Sequence, residues 1–190
     1  MKRYFLPALI SMLIVFLWQM LSYMALPTHK YMGKYISTQD SVLNVLNKYL
    51  PEDGAYMIPH VNPDSPTAHE DMEKMEAQMK GKPMAMVFYN KSWDGSMGMM
   101  MFWGFVINFI MAFFLICTIN MFETSINTFG KRYYMALIFA LFYVFQGPLT
   151  SWNWYLLPPH FWWGEVFDAI VMWSLVGIFL GWWLGKFQKN

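Results

Sequence analysis

Residues 98–121 read GMMMFWGFVINFIMAFFLICTINM, an apolar run without a charged side chain. A helix rises 1.5 Å per residue, so a run of this length crosses the roughly 30 Å hydrocarbon core of a bilayer. Similar runs occupy residues 4–26, 133–150 and 166–184, and Asp168 is the one charged side chain within the four. Charges are rare in lipid because each costs about 2.5–3.5 kcal/mol on insertion scales. The sequence predicts an all-α membrane protein with a bundle of four transmembrane helices.

The rest of the composition agrees with this class. Hydrophobic residues make up 57% of the chain and charged residues 13%, well below the roughly 25% of soluble domains. The predicted organisation is a first transmembrane helix in residues 1–26, a polar insertion in 27–97 and three more helices in 98–190. A net charge of +1 gives no basic surface for nucleic acid. We expect the partners to be the lipid bilayer and other membrane subunits or a second copy.

The first apolar run is interpreted as a retained helix. It follows Lys2 and Arg3, as a secretory signal would. It extends for about 20 residues, however, whereas the apolar part of a signal has 7–15. A bulky Tyr23 also stands near its exit, where a cleavage site needs small residues.

Lysine and arginine predict the orientation. Positive residues accumulate in short cytoplasmic segments. Six of them flank the predicted helices, and all agree on one topology: Lys2, Arg3, Lys131, Arg132, Lys186 and Lys189. Both termini are therefore expected in the cytoplasm, the insertion is expected outside, and the membrane is expected to be a bacterial cytoplasmic (inner) membrane.

The insertion is predicted to be a small α+β extracytoplasmic cap. Residues 37–40 are typical of a helix start, and apolar residues follow at helical spacing up to Leu50. A second helix is expected from Ser65 to a stop at Gly81. Residues 55–59 and 84–89 are short β-prone runs that could pair. So small a unit is expected to rest on the bundle or on a partner.

The fourth helix carries Gly177, Gly181 and Gly185 on one face. Small residues at this spacing let two helix backbones approach closely in lipid. The face could contact a second copy or a partner subunit, but we favour another helix of the same bundle. Five polar side chains within or beside the predicted spans are also expected to face the bundle: Gln19, Ser22, Asn108, Asn120 and Gln146.

A candidate ion or proton site lies at the start of the fourth helix. Glu165 and Asp168 are three positions apart, so their carboxylates share a helix face, with His160 just before them. An ionisable residue at the membrane boundary is a candidate for binding protons or cations. Carboxylates in a first helical turn also simply stabilise free N–H groups and the helix dipole. The two interpretations are balanced for Asp168, and the structural one is favoured for Glu165.

Methionines are frequent in and after the insertion. Met72, Met75 and Met79 lie on one face of the predicted second helix, with His69 a turn earlier. Thioethers and imidazole are ligands for Cu(I), so copper handling is a minor hypothesis. The same spacing covers an apolar core, and methionine fills irregular gaps, which we favour.

No motif for catalysis is found in the sequence. The chain lacks a G-x-S-x-G elbow, an H-E-x-x-H pair and a phosphate-binding loop. Its single cysteine, Cys117, excludes an intrachain disulfide. We expect a protein that is not an enzyme and has no cofactor.

Four sequence features together resemble a group of bacterial four-span membrane proteins. They are Gly54-Ala55-Tyr56, Lys80-Gly81-Lys82-Pro83, residues 151–155 (SWNWY), and a final helix with Asp168, Trp173 and Gly177. The resemblance covers most of the chain. It implies a bacterial origin and this topology, and it implies no activity.

These observations lead to three functional hypotheses. The first is an accessory or scaffolding subunit of a larger membrane complex. The second is a small oligomeric transporter or a proton- or cation-responsive protein that uses Asp168, Glu165 and His160. The third is extracytoplasmic copper handling by His69 and the three methionines.

Overall fold

The computed structural model describes residues 3–30 and 32–187, except the side chain of Phe187. The chain forms two compact units. The first consists of Met1–Lys34 and Gly95–Asn190, and the second of Tyr35–Asp94. Lys2 and Lys189, two of the charges that predict the orientation, lie outside the described residues.

Four long helical segments make up the first unit. They are α1 (Phe5–Met24), α4 (Met97–Met121), a segment of α5 (Phe129–Val144) and α6 (Thr150–Tyr155) joined by a π turn (Phe145–Leu149), and α7 (Pro159–Phe187). All four are long and apolar enough to cross a membrane. The prediction of a multi-pass, helical membrane protein is thereby confirmed.

The helices pack in a simple order. α1 lies against α4 on one side and α7 on the other, and α5 packs along α7. Small and branched side chains form the core between them: Ala8, Val15, Leu115, Ile116, Ile119, Ala136, Ala140, Val176 and Leu180. Large apolar side chains cover the outside instead, including Leu17, Phe114, Phe142 and Ile178. A lipid environment favours such an apolar outer surface, because lipid tails are as apolar as the core.

The glycine face of α7 is in contact with α5. A Cβ at Gly177 would lie 3.0 Å from Cβ of Ala136 and 3.3 Å from Cα of Tyr133. A Cβ at Gly181 would lie 2.6 Å from the ring of Phe129. The glycines therefore bring two helices of the same chain together, as we favoured from the sequence.

Arg132 corrects part of the sequence prediction. We expected it in the loop between the second and third helices, but it lies in the first turn of α5 and is only 2% exposed. Its helix begins early because the hydroxyl of Thr128 accepts a hydrogen bond from the backbone N–H of Lys131. The guanidinium then reaches α7, where its Nη1 donates to the carbonyl of Gly181 at 3.2 Å. Gly185 leaves the space for it, since a Cβ there would lie 3.3 Å from Nη1.

The third span changes helical pitch near its end. Gly147 and Pro148 lie in the π turn, and Pro148 is buried. Proline has no N–H to continue the hydrogen-bond ladder, and a π turn absorbs this interruption without ending the helix. Gln146 is exposed, so the prediction that it faces the bundle is wrong. Asn108 in contrast donates to Gln19 across α4 and α1, at 2.9 Å.

The second unit has the two helices and the strand pair that the sequence predicts. α2 (Gln39–Tyr49) is followed by β1 (Gly54–Ile58), α3 (Ala68–Met79) and β2 (Ala85–Tyr89). The strands are antiparallel, with Tyr56 opposite Val87. Gly81 adopts a φ of +80°, a conformation that glycine tolerates after a helix end.

Candidate functional site

Asp168 is the centre of a polar cluster at one end of the first unit. It lies in the third turn of α7 and is 4% exposed. Its Oδ1 accepts a hydrogen bond from Oγ of Ser22 at 2.6 Å and one from Nε1 of Trp18 at 3.1 Å. Ser22 and Trp18 are four residues apart on α1, so they lie on the same face of that helix. Two donors from α1 therefore converge on one carboxylate oxygen of α7.

His29 occupies the second carboxylate oxygen of Asp168. It ends a short 3₁₀ turn (Pro27–His29) that follows α1. Its Nε2 lies 2.9 Å from Oδ2 of Asp168, and each side chain is 6% exposed. The imidazole stacks on the ring of Tyr23 with 3.8 Å between centroids and 8° between planes. Gly164 makes this position accessible, because a Cβ there would lie 2.8 Å from Cε1 of His29.

Glu165 extends the cluster by one helical turn. Its Oε1 accepts a hydrogen bond from the hydroxyl of Tyr23 at 2.6 Å. Its Oε2 accepts one from the hydroxyl of Tyr143 on α5 at 3.2 Å. Tyr23 thus touches both halves of the cluster, stacking on His29 and donating to Glu165. We call these seven residues the carboxylate cluster: Trp18, Ser22, Tyr23, His29, Tyr143, Glu165 and Asp168.

The hydrogen bonds of the carboxylate cluster converge on its two acidic side chains. Hydroxyl and indole donors point at the carboxyl groups of Asp168 and Glu165. An ionised Asp168 only accepts hydrogen bonds, so Nε2 of a neutral His29 carries the hydrogen between them and Nδ1 carries none. This Nδ1 atom is buried and has no hydrogen-bond partner within the described ranges.

Two cavities border the carboxylate cluster. One of about 630 Å³ is lined by Tyr23 of α1 and by residues of the following segment, including His29 and Met32. The other, of about 250 Å³, is lined by Glu165, Tyr143 and Trp162 among others. His29 and Glu165 therefore each have access to a separate space, whereas Asp168 lies between them.

The sequence-predicted residues of this site are only partly brought together. Glu165 and Asp168 share the cluster, but no hydrogen bond or ion pair joins His160 to either of them in the described part of the chain. His29 takes the position that we assigned to His160. The position of His29 in the sequence could have indicated it, because His29 directly follows the first span, at the same end of the bundle as the start of the fourth helix.

The residues of the copper hypothesis lie on α3. Met75 and Met79 are half-buried, whereas Met72 is 46% exposed. The side chain of His69 is 92% exposed and lies 3.7 Å from Glu73. Among the described residues, no group of three or more histidine, cysteine, aspartate or glutamate side chains is arranged to hold a metal ion.

A second charged group lies at the opposite end of the first unit. Arg3, just before α1, forms an ion pair with Glu123, just after α4. Nε of Arg3 also donates to the side-chain oxygen of Asn120 at 2.7 Å. The hydrogen bond and charge of Glu123 raise the pKa of Arg3 above its ordinary value, against a smaller effect of burial. These contacts join the start of α1 to the end of α4.

Comparison with protein-family models, curated proteins and solved structures found no match to this chain. The resemblance to bacterial four-span proteins stays a prediction from the sequence.

Proposed function

We propose that this chain is a proton-responsive integral membrane protein and that His29, held on Asp168, is its responsive group. One observation carries the proposal. Asp168 is an ionisable residue that is buried within a candidate membrane span, and it is paired with a histidine from outside that span. Ionisable residues in such positions commonly serve function, because their burial costs stability.

The proposed response follows from the free nitrogen of His29. Histidine gains a proton between about pH 8 and pH 5. A proton on Nδ1 creates a buried N–H donor that lacks an acceptor in the described residues. An unsatisfied buried donor costs about 1–3 kcal/mol, while the stronger pairing with Asp168 offsets part of this. The imidazole relieves the cost by moving into the adjacent cavity of about 630 Å³, which Met32 and Gly33 also line.

The titratable groups around His29 come from every element that packs on it. Asp168 contacts it from α7 and Tyr23 stacks on it from α1, and Glu165 is linked to it through the hydroxyl of Tyr23. Tyr143 of α5 reaches it through Glu165, and Lys30 follows it in the chain. A proton taken up by the imidazole would place a positive charge beside the carboxyl group of Asp168.

A proton fits this site better than a metal cation does. A metal ion would have to compete for these oxygens, because every oxygen of Glu165 and Asp168 already has at least one hydrogen-bond contact. A response also fits better than transport. Beyond Asp168 most of the described buried side chains are apolar, such as Val15, Ala140 and Val176, and Ser11 and Arg132 are the buried polar ones there.

The placement in the membrane belongs to the same proposal. The lysine and arginine pattern supports cytoplasmic termini, and the resemblance supports a bacterial cytoplasmic membrane. In that orientation the carboxylate cluster and the second unit face the extracytoplasmic side. The protein would then respond to the pH outside the cell.

The test uses a fluorescent label beside His29. Gly33 lines the same cavity, and a Cβ there meets no atom within 4 Å. A Gly33→Cys variant with Cys117→Ser is labelled with an environment-sensitive dye and titrated in liposomes between about pH 8 and pH 5. We expect one transition in the emission. His29→Gln should abolish it, because glutamine keeps a donor for Asp168 but does not titrate there.

Asp168→Asn should also abolish the transition, and Glu76→Gln on exposed α3 is the matched control. An unchanged transition in His29→Gln would contradict the proposal. So would an emission that does not depend on pH in the parent protein.

A second candidate function is the accessory subunit of a larger complex. It is supported by an apolar groove of about 570 Å³ between α4 and α5, lined by side chains that include Met111, Phe114 and Phe142. Gln146 lies at one end of this groove and could hydrogen-bond a partner's transmembrane helix. A photo-crosslinker at Phe142 should then capture a membrane protein in native membranes, and one at Leu17 on α1 should not. Equal capture at both positions would argue against a specific partner.

A further inference from the structure

We infer that α2 lies in the membrane–water interface, with its apolar face in the lipid. The inference does not depend on the carboxylate cluster. It concerns the second unit, whose α2 has an apolar face that its own unit leaves uncovered.

The apolar side chains of α2 follow the helical repeat. Val42, Val45 and Tyr49 lie on one face, at spacings of three and four residues. They are 42%, 55% and 69% exposed, and the neighbouring Leu43 is 56% exposed. A helix of a small soluble unit normally buries such a face. This one leaves most of it uncovered.

Asn47 joins α2 to the strands. It accepts a hydrogen bond from the hydroxyl of Tyr89 at the end of β2, at 3.0 Å. Leu46, the residue before it, is half-buried. Asn47 lies well away from Val45 and Val42 around the helix. The side of α2 at Leu46 and Asn47 is therefore the partly covered side, and the apolar residues Val42 and Val45 stay exposed.

The two segments that connect the second unit to the candidate spans, here called the tethers, indicate that lipid covers this face. Only residues 25–38 separate α2 from the end of the first candidate span, and residues 90–96 separate β2 from the start of the second. An exposed aromatic residue stands near each end of the second unit, Tyr35 at 80% and Trp93 at 77%. Tyrosine and tryptophan prefer the headgroup region of a bilayer. The second unit thus has anchors for a bilayer surface at both of its connections to the candidate spans.

The charges of α2 indicate which lipids it needs. Asp40 and Lys48 are its charged residues, one of each sign. An interfacial helix binds through buried apolar area and through attraction of basic residues to anionic lipids. Because α2 has no net charge, its binding depends on the buried apolar area. We therefore expect α2 to enter the interface of bilayers made of neutral, zwitterionic lipid.

The experiment measures the depth of single spin labels on the full-length protein. The labels are placed on cysteines at Val42, Val45 or Asn44, each with Cys117→Ser, in liposomes of phosphatidylcholine. Oxygen concentrates in lipid, and a nickel chelate stays in water. We expect the ratio of oxygen to nickel accessibility to be several-fold higher at Val42 and Val45 than at Asn44.

Two outcomes would overturn the inference. High nickel accessibility at all three positions would place α2 in water. Dipolar broadening between labels at Val45 that disappears on dilution with unlabelled protein would assign the face to a second copy instead. Because these labels are read at fixed pH, neither outcome affects the proposed response of His29.

Discussion

The Nε2 atom of His29 lies 2.9 Å from Oδ2 of Asp168, although 139 positions separate the two residues in the chain. This contact joins the turn after α1 to α7, and the stacking of Tyr23 on the imidazole reinforces it. It also means that the path leading out of the first span is anchored on a buried carboxylate. A charge change at this contact affects the segment that continues into the second unit.

Ser22→Ala should destabilise the protein by about 1.5 kcal/mol, because it removes a hydrogen bond to a buried charged group. Trp18 keeps its bond to the same oxygen, so the fold should survive. The control is Thr118→Val, whose lost hydroxyl bonds only to the carbonyl of Phe114 in its own helix. Thermal unfolding in mild detergent measures both variants. An equal loss in the two would contradict the assignment of Ser22 to the cluster.

Gly164→Ala should displace His29 from Asp168. Its Cβ would lie 3.0 Å from Nδ1 of His29 and 3.2 Å from the backbone oxygen of Thr28. The label at position 33 should then lose its pH transition. Alanine favours a helix more than glycine does, so this loss in Gly164→Ala could not be caused by a weaker helix. Gly104→Ala in α4 meets no atom within 4 Å and serves as the control. A full transition in Gly164→Ala would show that the contact is dispensable.

Gly177→Ala should separate α5 and α7 and cost about 1–3 kcal/mol, the usual range for overpacking. The atoms nearest to the new Cβ are Cβ of Ala136 at 3.0 Å, Cδ2 of Tyr133 at 3.1 Å and Cα of Tyr133 at 3.3 Å, and the first and last of these cannot turn away. Gly185→Ala should cost less, because its neighbour is the end of the Arg132 side chain. Unfolding midpoints in detergent give the ranking. A larger loss for Gly185→Ala would be inconsistent with this packing.

Arg132→Gln should cost about 3 kcal/mol, as breaking a buried polar contact usually does. The guanidinium donates to the carbonyls of Gly181 and Asn127, which join α5, α7 and the preceding loop. The neighbouring Lys131 is exposed, so Lys131→Gln should change the stability by less than about 0.5 kcal/mol. Similar unfolding midpoints for both variants would mean that Arg132 does not stabilise the bundle.

The orientation can be tested by labelling single cysteines in intact cells. Asp64→Cys lies in the predicted extracytoplasmic insertion, and Ser125→Cys lies in the predicted cytoplasmic loop after α4. With Cys117→Ser as background, we expect an impermeant maleimide to label the first and to spare the second until the cells are opened. The reverse pattern would invert the topology and place the carboxylate cluster on the cytoplasmic side.

The spans are predictable from the sequence because long apolar runs without charge are typical of helices surrounded by lipid. The helix of residues 39–49 and the pairing of residues 54–58 with 85–89 are also accessible, since turn residues and local periodicity define them. The buried position of Arg132 cannot be predicted from the sequence. Hydropathy treats an arginine beside a span as a loop residue, and only the packing of α5 on Gly181 and Gly185 gives it a buried site.

The carboxylate cluster is half predictable. Asp168 is conspicuous as a charge in an apolar helix, and Glu165 follows from helical spacing. Their donors lie on α1, on the turn after it and on α5, so they depend on which helices are neighbours. Periodicity within one helix carries no information about that order. His160 is near these carboxylates in sequence, whereas His29 is the residue near in space.

The most direct test of the central claim is the infrared difference spectrum of the protein in liposomes between about pH 8 and pH 5. We predict that the imidazole bands of His29 change as the ring gains a proton, and that the carboxylate bands of Asp168 shift but keep their intensity. Both changes should be absent from His29→Gln. A spectrum that is the same in His29→Gln and in the parent protein would contradict the account.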